Sequence, residues 1–359
     1  MVEPLVGMRL YFQKEREQGM MKKNYPINNE TVLFQGRTFE REGISCLSWT
    51  DSGFTFYFEG TEVWAEIWTN QPHNDISRPY IGVLLDGDIK PEEMQVFPVD
   101  REGWNFYPLA KALPEGKHTI RLVKLSEAQH SIVMVKTLEV YGNLVNPSPP
   151  DSAHIIEFIG DSITAGFGNN CKSEDGSFCT KEQDGWRSYA ALTAQRMNAR
   201  FSVIAHSGWC VYKSPYGDRM PDIYEFTYGK GEYWDFSSNP TNLVVVNLGT
   251  NDGAWINMEP ENRREESIRL FIDAYVDFIE KIRIKNPNAI ILCVIGMLCT
   301  ITTPYVKQAV ETARRQGISN VFFGQLPQAI SYGAGHPSAE SHVLAADALE
   351  KMIRTITGW

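Results

Sequence analysis

The chain changes character at Asn146–Asp151, which reads NPSPPD, and this change limits the possible folds more than any other feature. Three prolines in so short a stretch favour extended, semi-rigid backbone, so residues 146–151 read as a linker. Before it the pattern is strands and turns. Phe54, Phe56 and Phe58 alternate with Thr55 and Tyr57, and Val63, Ala65 and Ile67 alternate with Trp64, Glu66 and Trp68. Further runs cover Tyr80–Leu85, His118–Lys124 and Ile132–Tyr141, separated by turn signals such as Asp86-Gly87-Asp88. Short strands without a helical period predict an all-β sandwich, preferably a jelly roll, over residues 1–145. Residues 1 to about 30 are polar and mixed, with room for one short helix.

After the linker, strands alternate with helices. Apolar runs at Ile155–Ile159, Phe201–Ala205, Leu243–Leu248, Ala289–Ile295 and Val321–Gln325 suit buried strands. Between them lie helical patterns: Trp186–Asn198, a long amphipathic face through Ile268, Ile272, Tyr275, Ile279 and Ile282, and Val306–Ala313 stopped by Gly317. A last helix is expected from Pro337 to about Ile356. This alternation predicts a doubly wound parallel α/β sheet over residues 152–359.

A formal net charge of −10 disfavours nucleic acid and anionic membrane surfaces as partners, while neutral sugars remain acceptable. No run reaches transmembrane length, and the early charges Glu3, Arg9 and Lys14 leave no apolar signal core. The expected location is cytoplasmic, or secreted if a signal has been trimmed. The six cysteines show no zinc spacing. Cys293 reads as a core thiol, and Cys171 and Cys179 as reduced loop thiols, or as a pair closing a small loop in an oxidising compartment.

Four positions fall just past strand ends or before a helix, where open α/β sheets place ligands. Ser162 follows Gly160 and Asp161 in IIEFIGDSITAGFG, on a strand-to-helix turn that would expose its hydroxyl as an acyl-transfer nucleophile. It lacks the flanking glycines of the G-x-S-x-G elbow, and a plain helix N-cap is the bland alternative. Gly208, in HSGW, could offer its N–H without a side chain in the way. Asn251, in NLGTND, carries an amide that could donate to an oxyanion, although Asn251 and Asp252 also suit turn or cap roles. His336, in GHPS, is the candidate general base, with Pro337 in the first turn of the last helix. Asp161 is expected to orient the turn, His206 to pack near its strand end, His342 to lie on the surface, and Glu265 and Glu266 to form a solvated helix face.

GDS, a strand-end glycine, GTND and HPS, in that order, resemble the SGNH (GDSL-type) hydrolase superfamily, with its four letters at Ser162, Gly208, Asn251 and His336. The resemblance implies a flavodoxin-like sheet and an ester hydrolase. Ser162 would be nucleophile, His336 base, and the Ser162 N–H, Gly208 N–H and Asn251 side chain the oxyanion hole. Gly36–Thr61 and Glu115–Ala128 look like the jelly roll of carbohydrate esterase family two. That likeness implies removal of O-acetyl groups from plant polysaccharides such as xylan or glucomannan, with no metal or organic cofactor.

One departure concerns the third catalytic group. The superfamily's aspartate three residues before the histidine, and this family's two before, are replaced by Gly333 and Ala334. Some members of the resembled family hold the histidine with a backbone carbonyl, and here a C=O within 332–334 is expected to do so. The residue before the histidine, often Trp in this family, is Gly335, so Trp209, Tyr212 or Trp255 would supply the sugar platform unless they serve packing. Two alternatives stay open: a lipase or thioesterase acting on longer acyl chains, and a carbohydrate-binding protein with a decayed site.

Overall fold

A computed structural model describes residues 21–87, 93–147, 154–173, 177–214, 217–298 and 300–359. Residues 1–20 and most of the expected linker, from 148 onward, lie outside these.

The β domain grows around one long strand. Its strands run β1 (Lys22–Pro26), β2 (Leu33–Gln35), β3 (Phe39–Arg41), β4 (Ile44–Leu47) and β5 (Gly53–Thr69). They continue as β6 (Tyr80–Leu85), β7 (Gln95–Pro98), β8 (Asn105–Ala110), β9 (Lys117–Lys124) and β10 (Val133–Val145). Among the described residues these ten form one antiparallel sheet in the order β3-β4-β10-β5-β9-β6-β7, with β1 on β10 and β2 and β8 on β5. The two alternating runs of the sequence belong to the single strand β5. Inward residues are even-numbered from Phe54 to Phe58 and odd-numbered from Val63 to Ile67. The parity switches at Gly60, where the pairing with β10 slips between Tyr141 and Gly142. A bulge adds one residue on one strand and so exchanges the faces beyond it. The crossing is tight: a Cβ on Gly142, which has φ +140°, would lie 2.1 Å from the Glu59 carbonyl oxygen. Most of the span expected to hold a short helix lies outside the described residues; Lys22–Pro26 is an added strand, and Lys22 pairs with Glu139 at 2.7 Å.

The second domain is a parallel sheet of β11 (Ile155–Gly160), β12 (Arg200–Ala205), β13 (Leu243–Asn247), β14 (Ile290–Met297) and β15 (Val321–Gln328), in the order β12-β11-β13-β14-β15. Its helices are α1 (Ser162–Ala165), α2 (Tyr189–Arg196), α3 (Met220–Ile223), α4 (Thr250–Met258), α5 (Glu261–Lys285), α6 (Thr303–Arg315) and α7 (Ala339–Thr357). Alternate residues of each strand enter different cores. Ile159, Val244 and Val246 pack with α5 and α6, and Phe158, Val245 and Val294 with α2 and α7. Two short strands, β16 (Tyr332–Gly333) and β17 (His336–Pro337), form a hairpin after β15.

The domains share buried contacts. Trp49 of the β domain joins one α/β core, and its indole N–H donates to the Thr227 carbonyl. The fully buried Arg37 pairs with Glu157 of β11 at 2.9 Å. Its guanidinium also donates to the Tyr224 and Phe226 carbonyls and lies over the Tyr224 and Phe236 rings.

Candidate active site

Register brings the motifs together. Gly160, Ala205 and Asn247 are paired across β12-β11-β13, so the segments after them leave the sheet side by side. This is the point where strand order reverses about β11, the usual ligand crevice of such sheets. Gly160 is required by space rather than by an unusual φ. A Cβ there would sit 1.9 Å from Thr164 Oγ1 and 3.1 Å from the Asn247 carbonyl oxygen. Asp161 then caps α1, its Oδ1 accepting the Ile163 N–H at 3.0 Å. That fixes Ser162 on the first residue of α1, with 6% of its surface exposed.

His336 Nε2 lies 2.9 Å from Ser162 Oγ. Its Nδ1 lies 3.2 Å from the carbonyl oxygen of Ala334, within the span the sequence pointed to. A carbonyl only accepts, so Nδ1 carries the proton and Nε2 is free to take one from the serine. Pro337 is not in the first turn of the last helix, which begins at Ala339. Ser338 caps α7, its Oγ accepting from the Ser341 N–H, and His336-Pro337 precedes the cap as a strand paired with Tyr332-Gly333. Ala334 and Gly335, with φ +49° and +71°, form the turn. Positive φ at both central positions marks a type I′ hairpin. The hairpin rests on the loop after α1: the Ala334 N–H donates to the Ser173 carbonyl and the Ala339 N–H to the Asn169 carbonyl. An aspartate could not replace Gly333, because its Cβ would fall 2.5 Å from the Gly168 carbonyl oxygen and 2.7 Å from that of Cys171. Phe167 packs against the imidazole at 4.5 Å between centroids. Burial lowers the His336 pKa, partly offset by the bond to the Ala334 carbonyl.

Among the described residues, neither the Ser162 N–H nor the Gly208 N–H meets a hydrogen-bond acceptor. Gly208 sits at the third position of a turn closed by the Trp209 N–H and the His206 carbonyl at 3.2 Å, with φ +80° as a type II turn requires. Asn251, in the first turn of α4, donates through Nδ2 to the Trp209 carbonyl at 3.0 Å and to Asp161 Oδ2 at 3.3 Å. Its two amide hydrogens are therefore occupied, the Asp161 contact being the longer. Asp252 accepts the N–H groups of Val211 and Tyr212 and anchors the loop that carries Gly208. Its clamping role was hidden in the sequence behind the turn reading of Asn-Asp. Burial pushes the Asp161 carboxyl up to about 7 and that of Asp252 up to about 6.

The three aromatic candidates separate. Trp209 lies in the core with 8% exposure, stacked on His206 at 4.1 Å, so it packs rather than forming an open platform. Tyr212 is half-buried against the same core. Trp255, on α4, is 37% exposed. His342 is not on the surface. It is fully buried on α7, where Nδ1 accepts the Tyr189 N–H at 3.0 Å at the start of α2. Burial drives its pKa down to about 3. The five described cysteines are free, Cys171 and Cys179 included. Among the described residues no cluster of three His, Cys, Asp or Glu could hold a metal ion, and no helix is long and apolar enough to cross a membrane. A cleft of about 1200 Å³ between the domains is lined by Ile155, Arg200 and Thr241, at the edge where the strands begin, and holds none of the four site residues.

Residues 158–322 match the GDSL-like Lipase/Acylhydrolase family and residues 34–149 the Carbohydrate esterase 2 N-terminal family. The cellulase/esterase CelE of Acetivibrio thermocellus is 30% identical over 347 residues, which cover 92% of this chain and 40% of that protein. An acetylxylan esterase / glucomannan deacetylase of Cellvibrio japonicus is 25% identical over 255 residues, 68% of each chain. The chain thus spans well under half the length of the first of these relatives. A family two carbohydrate esterase from Clostridium thermocellum, solved with cellohexaose, superposes with a TM-score of 0.81 at 30% identity, covering 91% of this chain and 99% of that one. With both domains matched, and a relative spanned almost end to end at that identity, the chain belongs to carbohydrate esterase family two.

Proposed function

We propose that this chain is a serine esterase that removes O-acetyl groups from plant polysaccharides, acetylated xylan or glucomannan, through an acetyl-enzyme on Ser162. The observation that carries the reading is the Ser162 Oγ–His336 Nε2 contact of 2.9 Å, with Nδ1 fixed on the Ala334 carbonyl. The Cellvibrio japonicus relative, an acetylxylan esterase and glucomannan deacetylase, supports the substrate class.

In the forward step His336 Nε2 takes the hydroxyl proton while Ser162 Oγ bonds to the acetyl carbon. The carbonyl oxygen gains the negative charge between the Ser162 and Gly208 N–H groups. Asn251 joins them if its amide exchanges the longer Asp161 contact for the oxyanion. Each such donor is worth about 3 kcal/mol of barrier. The imidazolium then protonates the departing sugar oxygen as the carbon–oxygen bond breaks. Water, deprotonated by His336, attacks the acetyl-enzyme and releases acetate. A neutral carbonyl orients the imidazole as an aspartate would, but lends the imidazolium less charge stabilisation.

Acetate release from acetylated xylan, acetylated glucomannan and nitrophenyl esters of increasing chain length, by wild type and Ser162→Ala, tests the reading. Acetyl esters should be cleaved fastest, and only by the wild type. Turnover that rises toward octanoyl would assign a lipase or thioesterase instead. Saturable glycan binding with no ester turnover would assign a binding protein.

A further inference from the structure

The Gly208 N–H belongs to the central peptide of a type II turn, and this is the part of a turn that can flip. Type I and type II turns differ by a rotation of that peptide, and glycine at the third position accepts both. Flipping would exchange the direction of the Ser207 carbonyl with that of the Gly208 N–H. Something must select one state, because a donor pointing away contributes nothing to an oxyanion.

One side chain grips this peptide directly, and a second anchors Ser207, the residue on which it turns. His206 Nδ1 lies 3.1 Å from the Ser207 carbonyl oxygen. That carbonyl can only accept, so Nδ1 carries the proton, and the bond holds the face of the peptide opposite the Gly208 N–H. The His206 ring is held in turn by its stack on Trp209. Glu127 comes from the β domain. Its Oε2 accepts the Ser207 N–H and its Oε1 the Ser207 hydroxyl, each at 2.6 Å. Gln183 Nε2 donates both to Glu127 Oε1 at 3.2 Å and to the Ala165 carbonyl at the end of α1 at 3.1 Å. The same carboxylate is thereby tied to the short helix that carries Ser162. Below it, the buried Lys124 ammonium donates to the Glu127 carbonyl at 2.9 Å and to those of Ser48 and Ser126.

We propose that Glu127 and His206 are positioning residues that lock the Ser207–Gly208 peptide with its N–H in the oxyanion hole, so that the β domain completes the catalytic site. This rests on the esterase reading above. Neither residue touches the acyl group, and both act through Gly208.

The test compares Glu127→Ala, Glu127→Gln and His206→Phe in the full chain, with 4-nitrophenyl acetate as substrate and competent sites counted by titration with an organophosphonate. Phenylalanine keeps a ring to stack on Trp209 and removes the Nδ1 donor. Per titrated site, Glu127→Ala and His206→Phe should each lose about tenfold to a hundredfold in kcat, with KM within about threefold, approaching the loss of one hole donor. Glu127→Gln keeps an acceptor for the Ser207 N–H and should recover most of that loss. Combining Glu127→Ala with His206→Phe should cost less than the product of the single losses, since each loosens the same turn around Ser207. A kcat per site within twofold of wild type in both Glu127→Ala and His206→Phe, or a double variant whose loss equals the product of the single losses, would overturn the clamp. If Glu127→Ala does not fold, His206→Phe alone decides. Wild type without Ser162-dependent acetate release would instead refute the esterase reading.

Discussion

Removing Arg37 should loosen the whole molecule, although the residue lies far from Ser162 in sequence. Arg37 is fully buried and Glu157 is 3% exposed, and the pair joins the β domain to the strand that leads to Ser162. Arg37→Met removes two donors to Glu157 Oε2, at 2.9 and 3.3 Å, and also leaves the Tyr224 and Phe226 carbonyls without their guanidinium partner. The Tyr224 hydroxyl at 2.8 Å and the Ser202 hydroxyl at 3.3 Å stay with the carboxylate but bring no positive charge. Stranding one member of a buried ion pair costs about 3–5 kcal/mol. At about 2 °C per kcal/mol for a chain of this size, Tm should fall by about 6–10 °C. Adding Glu157→Gln neutralises the stranded charge, so the double variant should regain about 2 kcal/mol relative to the sum of the singles. Urea unfolding at constant pH, followed by tryptophan fluorescence, measures all three. A loss below about 1 kcal/mol in Arg37→Met, or strict additivity in the double variant, would refute this role of the Arg37–Glu157 pair.

Three other outcomes follow from the site. Burial lowers the His336 pKa, and the base works only when neutral, so kcat/KM should hold below pH 6.5 and fall only as pH drops through the lowered value; an acid limb centred above 6.5 would contradict this. His342 carries a native pKa of about 3 against 6.5 unfolded, so its stabilising share is complete above pH 6.5 and declines as the solution is acidified. Between pH 7 and 5 that share drops by about 2 kcal/mol, and His342→Asn, which keeps an acceptor for the Tyr189 N–H, should lose that much less stability than wild type over the same range. Gly333→Asp should cost at least about 2 kcal/mol and abolish activity, because its Cβ meets two carbonyl oxygens, whereas Ala334→Gly should leave stability equal or up to about 1 kcal/mol higher by relieving φ +49°. Thermal melts and acetate assays of both variants check this.

The order of elements was legible because local patterns carry it. The period-two run of Phe54–Phe58 and the apolar runs ending at Gly160, Ala205 and Asn247 report which faces are buried. The motif residues at strand ends could be placed at one sheet edge for the same reason. The approach of Ser162 to His336 needed coordinates, since 174 residues separate them. Other features left no local trace. Glu127, Lys124 and Arg37 look like ordinary surface charges until the domains close over them. His342 close behind Ser338, Glu340 and Ser341 reads as solvated, yet a helix start on the neighbouring element needed an acceptor there. Pro337 fits a first helical turn equally well, and only the positive φ values of Ala334 and Gly335 turn that segment into a hairpin.

The central claim is that Ser162 carries the acetyl group between sugar and water. Quenching the enzyme during turnover of 4-nitrophenyl acetate and mapping its peptides by mass tests this directly. The account predicts a single acetyl addition on the peptide that contains Ser162, lost on further incubation and absent from Ser162→Ala. Acetate released at the wild-type rate with that peptide unmodified throughout, or the acetyl group found on another residue, would contradict it.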